Sequence, residues 1–179
     1  MADILCPSWF ALNTKFRYED FVARQLSGKG YKTFLPIYQC RRRWSDRVKK
    51  MELPLFPGYL FCRFDAMNRL PILTTPGMVQ IVGFGKTPVP VPDAEIAAIQ
   101  AATIGNLARE PWPYLEVGQK VKVECGPMRG VEGILLNIKG SHRLVLSVTL
   151  LQRSVAVEVD SNWVVSASEQ KLGRTITAA

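Results

Sequence analysis

A dense run of basic residues lies in the first third of the chain. Residues 41–50 read RRRWSDRVKK, in which six side chains are Lys or Arg and one is acidic. Guanidinium and ammonium groups at this density neutralise phosphates, and an indole within the run can stack on an unpaired base. The alternative is a solvated hairpin tip, which is the usual setting of a charge block. The candidate nucleic-acid contacts here are Trp44 and the three residues before it, Arg41, Arg42 and Arg43.

The remaining reactive side chains do not form a catalytic set. The single histidine, His142, lies in the polar turn KGSH, where exposure to solvent is more usual than activation of a nucleophile. The string GFGK at 83–86 lacks the spacing of a phosphate-binding loop. The cysteines are widely spaced and never form the C-x-x-C pair of a zinc site: Cys6, Cys40, Cys62 and Cys125. We therefore expect no enzymatic activity, no bound metal and no cofactor.

Composition and charge narrow the class of protein further. The chain has 179 residues, 47% of them hydrophobic, and a formal net charge of +8, which favours an acidic partner such as nucleic acid. No apolar stretch approaches the roughly 18 residues of a membrane helix, and the first residues, MADILCPSW, lack the basic start of a secretory signal. We therefore expect a cytoplasmic protein that does not enter a membrane. Residues 1–104 carry most of the net charge.

A change of pattern divides the chain into two expected domains. The segment IGNLAREPWPYLE at 104–116 holds one Gly and two Pro and has no sustained periodicity, which is typical of a linker. The residues beyond 166 also lack a pattern. We expect a first domain at 7–104, a linker at 105–115, a second domain at 116–166 and an irregular tail at 167–179.

The two expected domains differ in secondary structure. In the first, a helix at 18–27 follows from apolar residues at Tyr18, Phe21, Val22 and Leu26, and a second long helix is predicted at 93–104. With the strands and a short helix between them, the order β-α-β-β-α-β-α predicts an α+β layer on a mostly antiparallel sheet. The second domain shows only short strands, which suit a small barrel, at 120–124, 131–138, 143–148, 154–159 and 162–165.

A glycine-rich turn identifies the type of the second domain. The string VGQKVKVECGPMRGVEGIL at 117–135 resembles a KOW motif, in which a strand passes through Gly126 and Pro127 into a loop. This resemblance implies a small all-β SH3-like barrel. KOW modules occur in ribosomal proteins as well as in transcription factors, so the motif implies a fold but not a function.

The first domain resembles a particular family. The string LFPGYLF at 55–61 is similar to the strand-entry string of the NusG family's N-terminal domain, and especially to that of its specialised paralogues of the RfaH kind. The likeness continues in order through Trp9-Phe10, IVGFG at 81–85 and PVPVPDAEI at 88–96, and covers about residues 8–166. It implies an α+β NGN (NusG N-terminal) domain, an antiparallel sheet flanked by helices, joined by a linker to the KOW barrel.

The resemblance also implies a surface that binds a protein partner. Members of this family bind the clamp coiled coil of bacterial RNA polymerase through an exposed apolar patch, whose matching positions here are Phe56, Tyr59 and Phe84. A turn at Pro57-Gly58 could expose Phe56, whereas the alternative is that the three rings fill the core. Asn13 departs from the family pattern, in which an aromatic residue often stands at that position on one edge of the patch.

Two further surfaces follow from the resemblance. Five basic residues match in position the family's face toward non-template DNA, with nascent RNA as the other possible nucleic acid: Lys15, Arg17, Arg24, Lys29 and Lys32. In the KOW domain, the loop TLLQRS implies a site for the termination factor Rho or the small-subunit ribosomal protein S10. Adjacent leucines on a strand point to opposite faces, so a loop here should expose at least one of them. The residues expected at this site are Leu150, Leu151, Arg153 and Met128.

The function implied is that of a monomeric transcription elongation and antitermination factor. Such a factor binds polymerase through its first domain, suppresses pausing, and recruits a partner through its KOW domain. The alternative is an RNA-binding or ribosome-associated KOW protein that does not bind polymerase. The sequence leaves open whether the chain is a general factor or an operon-specific paralogue.

Overall fold

The computed structural model describes residues 7–43, 48–104, 109–113, 118–138, 141–160 and 163–166. Trp44 and the tail at 167–179 lie outside the described residues, so the predictions made for them stay predictions. The chain divides into two compact units, residues 1–96 and 97–179. None of the described helices is long and apolar enough to cross a membrane.

Short strands and three helices make up the chain as far as residue 104. In order they are β1 (Ser8–Thr14), α1 (Glu19–Gly28), β2 (Lys32–Phe34), β3 (Ile37–Arg43), β4 (Val48–Pro54), β5 (Tyr59–Phe64), a 3-10 turn (Ala66–Asn68), α2 (Leu70–Leu73), β6 (Met78–Ile81), β7 (Gly83–Phe84), β8 (Thr87–Pro88), β9 (Pro90–Val91) and α3 (Asp93–Ile104). The second long helix has the bounds predicted from sequence. The first helix begins one residue later than predicted, because Tyr18 is its N-cap.

An antiparallel sheet in the order β2-β5-β1-β6, with β9 also pairing with β1, forms the centre of the first unit. Successive side chains of a strand point to opposite faces. Leu60, Cys62 and Phe64 of β5 therefore share one face, where they belong to the same core cluster as Val22 and Leu26 of α1. The α+β arrangement expected for this part of the chain is confirmed.

The apolar stripe expected along α1 is only half correct. Val22 and Leu26 are buried, but Tyr18 and Phe21 are exposed and pack edge to face with ring centroids 6.0 Å apart. The buried face of the helix runs instead through Glu19, Val22 and Leu26. The Glu19 carboxylate therefore lies on the buried face of α1, where the hydrophobic pattern predicted an aromatic ring.

A six-stranded antiparallel sheet forms the second unit. Its strands are β10 (Arg109–Pro113), β11 (Gln119–Val123), β12 (Glu132–Ile138), β13 (Ser141–Val148), β14 (Arg153–Val159) and β15 (Val164–Ser166), and a 3-10 turn (Thr149–Leu151) separates β13 from β14. The order is β10-β14-β13-β12-β11-β15. Within the described residues β10 and β15 are the two ends of this sheet, so closure into the predicted SH3-like barrel is not seen.

The segment predicted as a linker contains a strand. Residues 109–113 pair with β14 from Arg109 opposite Val157 to Pro113 opposite Arg153. The prolines that indicated a linker are tolerated because β10 is an edge strand. Its outer side pairs with no neighbouring strand among the described residues, so amide donors are not needed there. The division between the two compact units lies within α3.

Candidate functional site

A tight turn joins β4 to β5 in the first unit. The amide of Tyr59 donates to the carbonyl of Phe56 at 3.0 Å, which closes a four-residue turn. Pro57 presets φ at the second position, and Gly58 has the positive φ, +83°, that a type II turn requires at the third. The carbonyl of Gly58 accepts from the amide of Thr14 at 2.9 Å. The turn is therefore tied to the end of β1.

The expectation that this turn exposes Phe56 is wrong. The Phe56 side chain is 1% exposed and meets Phe61 edge to face, with ring centroids 5.8 Å apart. Phe61 in turn stacks on Phe34 of β2 at 6.1 Å. Phe56 packs on the face of the sheet opposite to α1. The chain reverses at Pro57 and Gly58, which follow Phe56 in sequence, so the turn leaves the ring buried. Phe56 belongs to the core.

The other two aromatic residues of the expected patch differ in exposure. Tyr59 is half-buried at the start of β5 and lies opposite Asn13 of β1. Phe84 is 77% exposed in the β7–β8 hairpin, where Gly85 supplies a positive φ of +59°. The structure thus leaves Phe84 as the fully accessible ring of the three.

A second apolar surface beside Phe84 was not expected from the sequence. We define the α2 patch as Met67, Leu70 and Leu73, all of them exposed. Leu73 lines a groove of about 270 Å³ between α2 and the β7–β8 hairpin. Across it, the Arg69 guanidinium donates to the carbonyl of Lys86 at 3.4 Å. The sequence predicts the short helix, but a four-residue helix has no periodicity from which its uncovered face could be read.

The five basic residues around α1 are exposed but differ in the contacts that their side chains make within the protein. The Lys29 ammonium donates to the carbonyl of Pro71 at 2.7 Å and to Thr75 Oγ1 at 2.8 Å. The Arg24 guanidinium pairs with Asp20 on the same helix, and Lys32 lies 5.8 Å from the ring centroid of Trp9. Lys29 therefore has a structural role besides any contact with phosphate.

The loop before α1 combines charge with an exposed ring. Arg17 adopts a left-handed backbone with φ +67° and lies 5.5 Å from the ring centroid of Phe16, which is 71% exposed. Lys15 beside them is exposed as well. Phe16 was missed by the sequence reasoning, although an aromatic residue between two basic ones is a recognisable signal for stacking on a base.

The basic run occupies two paired strands. The backbone register of β3 and β4 places Arg41 opposite Lys50 and Arg42 opposite Lys49. The side chains of Arg41, Arg42 and Arg43 lie outside the described part of the structure, so the nucleic-acid contact expected of them stays a prediction.

The second unit brings only part of its expected site together. Leu150 and Leu151 lie in the 3-10 turn and are half-buried, and Arg153 beyond them is exposed. Met128 is fully buried, so its expected place on the surface is wrong. Its carbonyl accepts from Val131 in a turn that folds the segment back on itself and carries the thioether into the core.

The Cys62 thiol of β5 is buried in the core of the first unit. Burial raises the pKa of the Cys62 thiol from 9.0 to about 12, so this group stays protonated at neutral pH. No group of three or more potential metal ligands occurs within the described parts of the chain. The described surface does offer exposed rings, a groove beside α2 and basic side chains around α1, which are features typical of proteins that bind macromolecules.

Comparison with known proteins places these features in a family. The model of the family described as "Transcription termination factor nusG" matches residues 7–100. The chain is 29% identical over 117 residues to the transcription termination/antitermination protein NusG of Helicobacter pylori strain J99, covering 64% of this chain and 66% of that protein. It is 26% identical over 181 residues to the protein of the same name from Thermus thermophilus, covering 89% of this chain and 98% of that protein.

A solved structure shows the same fold. The structure of Thermotoga maritima NusG aligns with a TM-score of 0.56 and 22% sequence identity, and covers 92% of this chain and 99% of that one. The family match spans more than half of the chain and includes β1, α1 and the turn at Phe56–Tyr59. By sequence and by fold, this chain belongs to the NusG family.

Proposed function

We propose that this protein is a transcription elongation and antitermination factor that binds bacterial RNA polymerase through its first unit. The observation that carries the proposal is the exposed Phe84 ring, which lies in a hairpin that lines one groove together with Leu73 of the α2 patch, within a unit that belongs to the NusG family. An exposed cluster of large apolar side chains marks a surface that another protein covers. The coiled coil of the polymerase clamp is the partner that the family resemblance implies.

The proposed mechanism is a shift of population between states of the polymerase. A bound protein favours a conformation only by the difference between its affinities for the two states. A factor that binds a closed clamp more tightly than an open one therefore disfavours paused states. It needs no catalytic group, which agrees with the role we expect for this chain.

Single-round transcription by the polymerase of the same organism tests this function. We expect the full chain to shorten the lifetime of a strong pause in proportion to its occupancy of the polymerase. The alternative function, an RNA-binding or ribosome-associated protein, predicts no change in pausing and co-purification of the chain with ribosomal RNA.

The β3–β4 strands supply the nucleic-acid contact in this proposal. Replacing Arg41, Arg42 and Arg43 by Ala should weaken binding to a single strand and make the slope of log K against log salt shallower by about 2, since each phosphate contributes about 0.7. Fluorescence anisotropy with a labelled oligonucleotide at several salt concentrations measures the slope. A control with the same net charge changes three exposed basic residues elsewhere: Lys86, Lys120 and Arg129. Equal slopes for the two variants would mean that the run is only a solvated tip.

The 3-10 turn of the second unit is the proposed site for Rho or ribosomal protein S10. Changing Leu150 and Leu151 together to Ser should abolish binding of that partner, because the half-buried side chains supply the apolar part of the site. Binding to polymerase should persist. Isothermal titration of the full chain with each partner measures this, with Glu158→Ala as the exposed control on β14. A folded double variant that binds either partner as tightly as the unchanged chain would refute the site.

A further inference from the structure

A carboxylate occupies the buried face of α1. Glu19 is 4% exposed and shares that face with Val22 and Leu26. An ionised carboxylate removed from water is costly unless hydrogen bonds replace its hydration. The position of Glu19 in the first turn of α1 offsets part of the cost of burying its charge, since the unpaired amides there give that end of the helix a partial positive charge.

The partner of this carboxylate lies in the turn between β4 and β5. The amide of Gly58 donates to Glu19 Oε1 at 2.8 Å, across 39 residues of sequence. A hydrogen bond to a charged acceptor contributes more to stability than one between neutral groups. The bond therefore joins the start of α1 to the middle of the turn.

The position of the Gly58 amide within the turn determines how its hydrogen bond to Glu19 affects the turn. The Gly58 amide belongs to the Pro57–Gly58 peptide, the central peptide of the turn, and rotation of that peptide interconverts type II and type I turns. In the rotated state the amide would point away from Glu19, and the buried carboxylate would face the carbonyl of Pro57 instead. Glu19 thus selects the type II form.

The peptide that follows is fixed as well. The Gly58 carbonyl accepts from Thr14, and the Tyr59 amide donates to Phe56. With Glu19 on the Gly58 amide, the amides of Gly58 and Tyr59 both have acceptors and the Gly58 carbonyl has a donor. These bonds hold the backbone where β5 leaves the turn at Tyr59, whose Cα partner on β1 is Asn13.

We propose that Glu19 is a positioning residue of the polymerase-binding surface, where its carboxylate fixes the Pro57–Gly58 peptide and so sets the placement of Tyr59. This inference rests on the proposed function and on the family resemblance, which implies that Tyr59 belongs to the polymerase-binding surface. Glu19 itself is buried and acts only through the turn.

Three variants of the full chain test this role. Glu19→Ala removes the acceptor, Glu19→Gln keeps a neutral acceptor of the same length, and Asp20→Ala is the control because it removes an exposed carboxylate from the same turn of helix. The measurements are the affinity for RNA polymerase and the proton shift of the Gly58 amide in the free chain. Both are made at a temperature where each variant is fully folded.

We expect Glu19→Ala to weaken polymerase binding about tenfold, because only about a tenth of the free molecules would then hold the type II turn, and to move the Gly58 amide upfield. Glu19→Gln should restore most of the affinity, and Asp20→Ala should change neither quantity. If Glu19→Ala does not fold, Glu19→Asp replaces it, since it withdraws the carboxylate by one methylene.

The outcomes separate the two proposals. If the unchanged chain does not bind polymerase, the proposed function fails. If the unchanged chain binds, and the folded acceptor-deficient variant binds equally well or leaves the Gly58 amide shift unaltered, Glu19 has no positioning role.

Discussion

Phe84→Ser should lower the affinity of the full chain for bacterial RNA polymerase by about thirtyfold and leave its melting temperature unchanged. An exposed aromatic residue that anchors an interface contributes about 2 kcal/mol or more to binding, which corresponds to that ratio of affinities. The same ring contributes little to folding, because it is 77% exposed in the free chain. The substitution should therefore separate binding from stability.

Biolayer interferometry with immobilised core polymerase measures the affinity, and circular dichroism measures the melting temperature. Val79→Ser is the matched control, since Val79 is an exposed apolar residue of the same unit that lies on β6. It should bind as tightly as the unchanged chain. Equal losses of affinity for the two variants would mean that Phe84 is not a specific anchor.

Phe56→Ala should show the opposite behaviour. Phe56 is buried against Phe61, so truncation removes apolar contacts and leaves a cavity, and the free energy of unfolding should fall by about 3–5 kcal/mol. Urea denaturation followed by far-ultraviolet circular dichroism measures this loss. Polymerase binding per folded molecule should fall much less than for Phe84→Ser.

The comparison of these two phenylalanines decides which of them belongs to the interface. If Phe56→Ala loses less than about 1 kcal/mol of stability and also loses polymerase binding, the ring is a surface contact, as the turn at Pro57-Gly58 first indicated. The assignment of Phe56 to the core would then be wrong.

Local patterns predicted much of the fold. The second long helix was predicted with its observed bounds, Asp93–Ile104, and the alternation of short strands and turns predicted β11 to β15 of the second unit. These signals work because capping, turn chemistry and side-chain periodicity are properties of neighbouring residues. They also placed the turn at 56–59, whose Pro-Gly pair has few conformations available.

Exposure could not be predicted in the same way, because it depends on residues that are distant in sequence. Glu19 rather than an aromatic residue lies on the buried face of α1, because its carboxylate accepts a hydrogen bond from the amide of Gly58, which is distant in sequence. Met128 is buried because its turn folds back, and residues 109–113 form a strand because β14 offers an unpaired edge. Each of these results needs the partner element to be known.

Photo-crosslinking from position 84 tests whether the β7–β8 hairpin contacts RNA polymerase. A benzophenone amino acid replaces Phe84 in the full chain, and in a second preparation it replaces Val79 as a control. With transcribing polymerase, position 84 should form an adduct that maps to the tip of the clamp coiled coil, whereas position 79 should not. An equal yield from both positions, or an adduct only with ribosomal components, would mean that Phe84 does not anchor the chain to polymerase.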